Sequence, residues 1–455
     1  MSNFNDHRFR SQHQNDQHAW RTPQNQQNSN WNPHVRNEQN NEIDQQSPLP
    51  LLVPSFLPNA STPQGSHKYP LNQPLEKHLS YRTWSNTTYR EYFRRNHQNH
   101  FKFSVVCYNI LSQSLLEDNV YLYGTCSEKN LKWYRRRDRL FREILRQDAD
   151  ILCLQEMQNN HYENEFRPTL AQQGYDSIYL KRNGYKPDGC CLFYRRNRLK
   201  LVDSKLVSFF RNNIPVLNRD NCGLIALFQP LNSNATEEDL FCVATTHLLF
   251  SPKRGDIKLA QLQYFLAEID QLALKKEQSN SYYPIVLCGD FNAQPACPLV
   301  NFVLSGHIEY NNYTSLEISG QTPDSPTAGR VSYALSSEAL LPSSFVTSDC
   351  RLSSAEHRSL SNNATSTAVL THDKNFASVY DSNDYSSVTS NVADHPKTVD
   401  YIFYTEQEDD PYRLNLLSRF DLYKDYQMLD VHVPNHQFPS DHFLLGAQFA
   451  LKFKK

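Results

Sequence analysis

Short apolar runs alternate with amphipathic stretches from residue 101 to the end of the chain. Residues 131–147 place apolar side chains at helical spacing, and residues 256–276 form the longest amphipathic helix pattern. Runs that alternate with period two, or that are apolar throughout, predict strands. The predicted strands cover residues 102–111, 151–157, 188–194, 200–210, 222–229, 240–248, 285–290, 399–404 and 443–452. Many strands with few helices favour two packed sheets flanked by helices.

Two regions lack this pattern. The first 50 residues contain 10 Asn and 9 Gln with almost no apolar periodicity, so they cannot bury a core. We therefore predict a disordered Asn/Gln- and Pro-rich tail over residues 1–78, a helical lead-in over 79–100 and one large domain over 101–455. Inside that domain, residues 315–394 are rich in Ser, Thr and Asn, which predicts a low-complexity surface insertion.

Charge and cysteine content narrow the function classes. A net charge of −2 over 455 residues supplies no general field for a polyanion, so nucleic-acid binding would depend on a local basic groove or on metal ions. No run of 18 apolar residues exists, and we expect no membrane partner. The ten cysteines contain no C-x-x-C pair, which favours a reducing compartment and argues against zinc. With no secretory signal pattern, the expected location is the cytoplasm, the nucleus or both.

The apolar run Ile285–Asp290 ends in a glycine and an acid, and Asn292 follows two residues after Asp290. Strand side chains alternate, so Asp290 and Asn292 can point to the same face and at one atom. A carboxylate beside a carboxamide suits a water and a phosphate. The structural alternative is an ordinary strand end, where Gly, Asp and Asn serve as turn formers.

Other predicted strands also carry a polar side chain at one end. For any single one, a cap, a turn or a satisfied core histidine is the simpler account. The occurrence of such residues at several strand ends favours a functional site over separate structural roles, because ionisable groups are costly to place near a core. Hard oxygen ligands suit Mg²⁺, with Mn²⁺ as the alternative, and the chemistry implied is phosphoester hydrolysis. The residues concerned are Asn109, Glu156, His247, Asp400, Asp441 and His442.

The motifs occur in the order Y-N-I-L, L-Q-E, T-H-L, G-D-F-N, V-D-Y-I-F-Y and S-D-H. In this order they resemble the endonuclease, exonuclease and phosphatase superfamily, whose members include pancreatic deoxyribonuclease, apurinic endonucleases and the deadenylases of the carbon catabolite repression type. Within that deadenylase-like branch, residues 108–119, 186–190 and 247–259 are most similar to the Angel proteins. Such deadenylases dock partner subunits through leucine-rich repeats, and no such period precedes residue 101, so docking into that complex is not expected.

The resemblance implies an α+β fold, a four-layer α/β/β/α sandwich of two mainly antiparallel sheets with the site at one end. It makes Glu156 the principal Mg²⁺ ligand, with Asn109 beside it and Asp441 on the metal side. Asp290 would orient and deprotonate the attacking water, and Asn292 would hold that water or a phosphate oxygen. The remaining implied roles are phosphate donors at His247 and His442, and Asp400 as the hydrogen-bond partner of His442.

The Angel resemblance also implies a substrate at an RNA 3′ end. The motifs leave open 3′ exonuclease activity, hydrolysis of a terminal 2′,3′-cyclic phosphate and binding to mRNA 3′ untranslated regions. Nucleotide hydrolysis of the nocturnin type and a catalytically silent RNA-binding scaffold are the alternatives. The flanking candidates for substrate contact are Asp188 and Gly189, which otherwise form a turn, and Lys253 and Arg254, which otherwise form a solvated helix entry.

Overall fold

The computed structural model describes residues 82–91, 100–275, 281–321, 332–345, 368–406 and 414–453, apart from residues 233, 237, 337, 343 and 344. The predicted tail over residues 1–78 lies outside this described part of the chain. No helix in the described part is long and apolar enough to cross a membrane.

The strands are numbered in chain order. Their bounds are β1 Trp84–Asn86, β2 His100–Asn109, β3 Ile151–Gln158, β4 Tyr175–Lys181, β5 Asp188–Arg195, β6 Leu199–Ser208, β7 Cys222–Pro230, β8 Phe241–His247, β9 Ile285–Asp290, β10 His307–Glu309, β11 Val369–Thr371, β12 Phe376–Ser378, β13 Ser387–Val388, β14 Ser390–Val392, β15 His395–Lys397, β16 Asp400–Thr405, β17 Leu414–Phe420, β18 Tyr423–Lys424 and β19 Leu445–Lys452. The α-helices are Gln113–Asp118, Glu128–Leu131, Trp133–Arg146, Asn159–His161, Arg167–Gln172, Gly255–Ala273 and Pro298–Ser305.

Most strands belong to two large sheets. The first has the order β1-β17-β19-β2-β3-β5-β4, and the second has the order β12-β16-β9-β8-β7-β6. In each sheet one neighbouring pair is parallel, β2 with β3 and β8 with β9, and the other pairs are antiparallel. The predicted pair of mainly antiparallel sheets is confirmed.

Alternating side chains of the central strands build the layers. Along β2, Val105 and Cys107 enter the core between the two sheets, whereas Val106 and Tyr108 face the core under helix Trp133–Arg146. A third core lies on the outer side of the second sheet, where helices Gly255–Ala273 and Pro298–Ser305 pack. Both faces of these strands are covered, which explains their nearly continuous apolar sequence. The layers are therefore helix, sheet, sheet and helix, as the resemblance implied.

Two predicted segments differ from what the structure shows. Within the helical lead-in predicted over 79–100, the described part contains strand β1, which pairs with β17. Within the insertion predicted over 315–394, strand β12 pairs with β16 at the edge of the second sheet, and the side chain of Leu370 is buried in the outer core. The described residues from 368 onward are therefore part of the folded domain, because their few apolar side chains are buried despite a polar composition.

Candidate functional site

A row of side chains crosses the end of the second sheet. The strand register pairs His247 on β8 with Asp290 on β9, and Asp290 with Asp400 on β16. Residues paired across neighbouring strands point to the same face. The backbone pairing therefore brings three of the predicted site residues together. Gly289 permits the close approach of β8 here, because a Cβ on it would lie 2.0 Å from the Thr246 carbonyl oxygen and its φ is +145°.

The first sheet contributes Asn109 and Glu156. Asn109 ends β2, and its Nδ2 donates to Glu156 Oε1 at 3.0 Å and to Asp290 Oδ2 at 3.1 Å, so one amide joins the two sheets. Glu156 lies where the β3–β5 register shifts and has a φ of +58°. This bulge directs its partly exposed carboxylate toward the site, and the backbone N–H of Ser112 donates to Oε2 at 3.0 Å.

Two imidazoles flank the Asp290 carboxylate. Its Oδ2 lies 3.5 Å from His247 Nε2 and 3.7 Å from His442 Nε2. The other ring nitrogen of His442, Nδ1, lies 2.8 Å from Asp400 Oδ2. The three carboxylate and imidazole groups Asp290, Asp400 and His442 are all buried. Asp290 is therefore the centre of the cluster, and Asp400 fixes the orientation of one of its two histidines.

The pKa values separate the histidines. Burial would lower the pKa of His442, but the charges of Asp400 and Asp290 raise it to about 10. Burial lowers the pKa of His247, although Glu156 opposes this effect. Burial also raises the pKa of Asp290 and of Glu156, and it raises that of Asp400 to about 6. These environments favour the protonated form of His442 near neutral pH and the neutral form of His247.

Asn292 follows Asp290 in a tight turn. Its φ is +48°, and its backbone N–H donates to Asp290 Oδ1 at 2.9 Å, while its Nδ2 donates to the Leu248 carbonyl at 3.1 Å. Below the turn, the buried Lys258 ammonium donates to the Asn292 carbonyl at 2.5 Å and to Gln321 Oε1 at 2.9 Å. The turn is thus fixed from both sides. The role predicted for Asn292 in holding water or phosphate stays a prediction.

A cluster of carboxylates and imidazoles that can hold a divalent cation is present. Among the described residues, the ligand atoms of Asp290, Asp400 and His442 lie within 4.8 Å of one another. A protonated His442 whose Nδ1 binds Asp400 is a poor metal ligand, however, so this group is better described as an ion pair. Glu156 offers hard oxygen atoms at the more open edge and fits Mg²⁺ better. Asn109 is buried, turns its amide nitrogen toward Glu156 and accepts from the Leu111 N–H through Oδ1, so its ligation of a metal stays a prediction.

Asp441 lies beside this group. Its Oδ2 accepts a hydrogen bond of 2.8 Å from the Tyr123 hydroxyl, and its charge contributes to the raised pKa of Glu156. Asp441 is itself buried, so its charge is poorly screened by solvent. Direct ligation by Asp441 stays a prediction.

Asp188 and Gly189, the first pair of flanking candidates, lie at the start of β5. The Asp188 carboxylate is buried and forms an ion pair with Arg182 through Oδ1, whereas its buried Oδ2 has no hydrogen-bond partner among the described residues. A Cβ on Gly189 would lie 1.9 Å from the Leu180 carbonyl oxygen, so this glycine is required by the pairing of β4 with β5. The structure gives Gly189 a role in strand pairing, and its substrate contact stays a prediction.

Arg254, from the second pair of flanking candidates, immediately precedes helix Gly255–Ala273. Its guanidinium binds the Asp256 carboxylate through two hydrogen bonds, of 3.0 and 2.8 Å. This contact corresponds to the solvated helix entry that the sequence offered as the alternative. For Lys253 and Arg254, substrate contact stays a prediction.

Sequence reasoning missed several residues that support the site. Thr389 Oγ1 accepts hydrogen bonds from the backbone N–H groups of Val399 and Asp400, and Tyr123 reaches Asp441. Arg136 is fully buried and donates to the carbonyls of Ile110, Leu111 and Pro439. Arg136 thereby connects the loop after β2 with the loop before His442. The only available sequence signal was an arginine at a position that faces the core in the helix pattern.

We expect Arg136→Lys to lower the free energy of unfolding by about 3 kcal/mol. The guanidinium makes four hydrogen bonds from three nitrogen atoms, including one to Gln113 Oε1, whereas an ammonium has three N–H groups on a single nitrogen. Urea denaturation of the full chain measures the change. The matched control is Arg137→Lys, since Arg137 is partly exposed and forms an ion pair with Asp138 that lysine can keep. The control should stay within about 0.5 kcal/mol of the parent. Equal stability of the two variants would contradict the assignment.

Comparison with known proteins identifies the family. The model of the Endonuclease/Exonuclease/phosphatase family matches residues 106–442. The chain belongs to this family. Human protein angel homolog 2 is 37% identical to it over 389 residues, which cover 78% of this chain and 70% of the human protein. The bovine protein angel homolog 2 is 36% identical over 389 residues, with the same two shares. The predicted Angel resemblance is confirmed.

Solved structures of family members agree with the fold. The crystal structure of ANGEL2, described as a 2′,3′-cyclic phosphatase in complex with adenosine-2′,3′-vanadate, has a TM-score of 0.69 and 37% identity, covering 81% of this chain and 98% of that one. The human nocturnin catalytic domain has a TM-score of 0.51 at 22% identity, covering 82% of this chain and 98% of that one. The nocturnin likeness extends to the fold alone.

Proposed function

We propose that this protein hydrolyses terminal 2′,3′-cyclic phosphates at RNA 3′ ends with Mg²⁺ as its cofactor. The observation that carries the proposal is the Asp290 carboxylate between two imidazoles, with Asn109 bridging it to Glu156. In this arrangement Asp290 would act as the base, the two imidazoles would donate to the phosphate, and Glu156 is the more open carboxylate. The ANGEL2 structure supports the choice of substrate, because it aligns over 98% of its length and is described as a cyclic phosphatase.

Asp290 would accept the proton of the attacking water. The water oxygen forms a bond to phosphorus while the bond from phosphorus to the 2′ or the 3′ oxygen breaks. The leaving oxygen takes a proton from solvent water to give a ribose hydroxyl beside a phosphomonoester, and Asp290 afterwards returns its proton to solvent. The protonated His442 donates to a non-bridging oxygen as charge builds there, and His247 donates to another. Asp400 holds His442 in the orientation and protonation state that this donation requires.

Glu156 would hold the Mg²⁺, with Asn109 and Asp441 beside it. When bound, the ion would polarise the phosphate and neutralise part of its charge. Glu156 is the most open of the site carboxylates, whereas Asp290, Asp400 and Asp441 are buried. A hydrated cation can therefore reach Glu156 from solvent, which separates its role from that of Asp290.

The second candidate activity is 3′ exonucleolytic trimming, which uses the same activated water. End-labelled RNA that ends in a 2′,3′-cyclic phosphate, and matched RNA that ends in hydroxyls after an adenosine tail, distinguish the two. We expect a mobility shift of the first RNA without shortening, caused by the added charge of the monoester. A ladder of shorter products from the second RNA would replace the phosphatase proposal with an exonuclease. RNA as the partner and the cytoplasm or nucleus as the location are part of this proposal.

We expect Glu156→Ala to raise the Mg²⁺ concentration for half-maximal activity by at least ~10-fold, because it removes the principal carboxylate ligand. Calorimetric titration of the protein with Mg²⁺ measures binding independently of turnover. The control is Glu163→Ala, since the Glu163 side chain is exposed and forms a surface ion pair with Arg167. A Mg²⁺ titration of Glu156→Ala that matches that of the control would remove Glu156 from the metal site.

A further inference from the structure

The connection between β4 and β5 lies at the site end of the first sheet and is firmly built. The Lys181 ammonium donates to the carbonyls of Arg182, Gly184 and Lys186 at 3.0, 3.1 and 2.8 Å. The backbone N–H of Arg182 donates to the Asp188 carbonyl at 2.9 Å. The Lys181 side chain thus holds three backbone carbonyls of the connection together. The backbone of Arg182 is therefore positioned by contacts that do not involve the Arg182 side chain.

The Arg182 guanidinium is held by Asp188. The two side chains form an ion pair through Arg182 Nη2 and are only 13% and 1% exposed. Among the described residues, Arg182 Nε has no hydrogen-bond partner although the atom is buried. An arginine with five N–H donors is therefore fixed in place with part of its donor capacity unused, and an unpaired buried donor is costly.

The location of this charge connects it with the site, because the β3–β5 register places its partner Asp188 opposite Gln158, two residues after Glu156. Burial would lower the pKa of Arg182, but Asp188 and Glu156 raise it. Arg182 in turn contributes to the lowered pKa of His247. The guanidinium is thus within electrostatic range of both Glu156 and His247, one from each sheet. It brings a permanent positive charge to a group in which Glu156, Asp290, Asp400 and Asp441 are all acidic.

We propose that Arg182 binds a non-bridging oxygen of the terminal phosphate and that Asp188 acts as its positioning residue. The planar guanidinium can keep its contact with Asp188 on one edge and offer other N–H groups to a phosphate. The inference rests on the proposed function and adds a substrate contact to it. It also revises the candidate role of Asp188, which acts through Arg182 rather than touching the sugar.

A purely structural ion pair is the competing account. Such a pair would fasten β4 to β5, yet the strand ladder and the Lys181 contacts already do so. The two accounts differ in what a substitution changes. A structural pair affects stability alone, whereas a phosphate contact affects the preference for a phosphate-bearing end over a hydroxyl end.

The experiment uses the full chain carrying Asp290→Asn, so that substrate binds without being consumed at a normal rate. Affinity is measured at one fixed salt concentration for a DNA oligonucleotide with one 3′-terminal ribonucleotide, ending either in a 2′,3′-cyclic phosphate or in hydroxyls. Arg182→Gln should reduce the preference for the phosphate end by ~10- to 100-fold and change hydroxyl-end affinity by less than ~2-fold. Arg196→Gln is the control, because Arg196 forms an exposed ion pair with Asp176 on the same sheet.

Arg182→Lys keeps the ion pair with Asp188 but loses the planar fork, so we expect it to fold like the parent and to lose ~10-fold of the phosphate preference. It keeps the test decisive if Arg182→Gln fails to fold. A folded Arg182 variant with the parent's preference overturns the inference. A parent enzyme that leaves the cyclic phosphate intact overturns the proposed function instead, so the two failures are distinguishable.

Discussion

Asp290→Asn is expected to lower turnover of a 2′,3′-cyclic phosphate by ~10²- to 10⁴-fold while the protein stays folded. The amide has nearly the same shape as the carboxylate, and its oxygen can still accept the hydrogen bond that the Asn292 backbone donates. It cannot, however, accept a proton from water. Single-turnover kinetics at saturating Mg²⁺ measure the loss directly.

The matched control for this prediction is Asp148→Asn, because the Asp148 side chain is 83% exposed. It should leave turnover unchanged within about twofold. Mg²⁺ binding by Asp290→Asn should also stay close to that of the parent, since the metal role is proposed for Glu156. Near-normal turnover in Asp290→Asn would assign the base to another residue, and lost Mg²⁺ binding would make Asp290 a metal ligand.

Asp400→Asn should produce the second large effect, a ~10²- to 10⁴-fold loss of turnover near neutral pH together with a changed pH profile. In the native site the pKa of His442 is raised to about 10, so its proton is present below that pH and is lost as the pH rises through it. Without the Asp400 charge, burial is opposed mainly by Asp290, and the pKa of His442 falls. The alkaline limb of turnover should therefore move to lower pH by at least ~1 unit.

The pH profile needs a substrate that tolerates alkali. A DNA oligonucleotide with a single terminal ribonucleotide cyclic phosphate has no internal 2′ hydroxyl that could cleave the chain. Asp381→Asn, at an exposed position in the turn before β13, serves as the control and should keep the parent profile. If the alkaline limb of Asp400→Asn stays at the parent's pH, that limb does not arise from deprotonation of His442.

Much of the fold follows from local patterns. The bounds of β9 agree with the prediction, and those of helix Gly255–Ala273 differ by one residue at the start and three at the end. Strand β4 was not predicted, because it pairs only at the edge of its sheet and five of its seven residues are partly exposed on both faces. Without a buried face, its sequence has no clear period of two.

The site was predictable in its residue types but not in its supporting contacts. Strand-end residues such as Asp290 and Asn109 carry a local signal, since a polar group interrupts an apolar run. Arg182 and Tyr123 carry none, because their partners Asp188 and Asp441 are reached only through the fold. Gly189 shows the converse, since a position that suggested substrate contact also has a steric explanation in the β4–β5 pairing. The Tyr123 contact spans 318 positions of the sequence, whereas the other two depend on the pairing of β5 with β4, a strand that the sequence pattern did not predict.

The in-register row of His247, Asp290 and Asp400 has a consequence for refolding studies. Strand side chains alternate, so a slip of β16 by a single residue would turn Asp400 to the opposite face. Such a species would keep its secondary structure and much of its compactness, and circular dichroism would scarcely distinguish it from native protein. Its His442 would lose its partner. Enzymatic activity recovered after dilution from denaturant therefore counts the molecules whose second sheet has closed in the correct alignment.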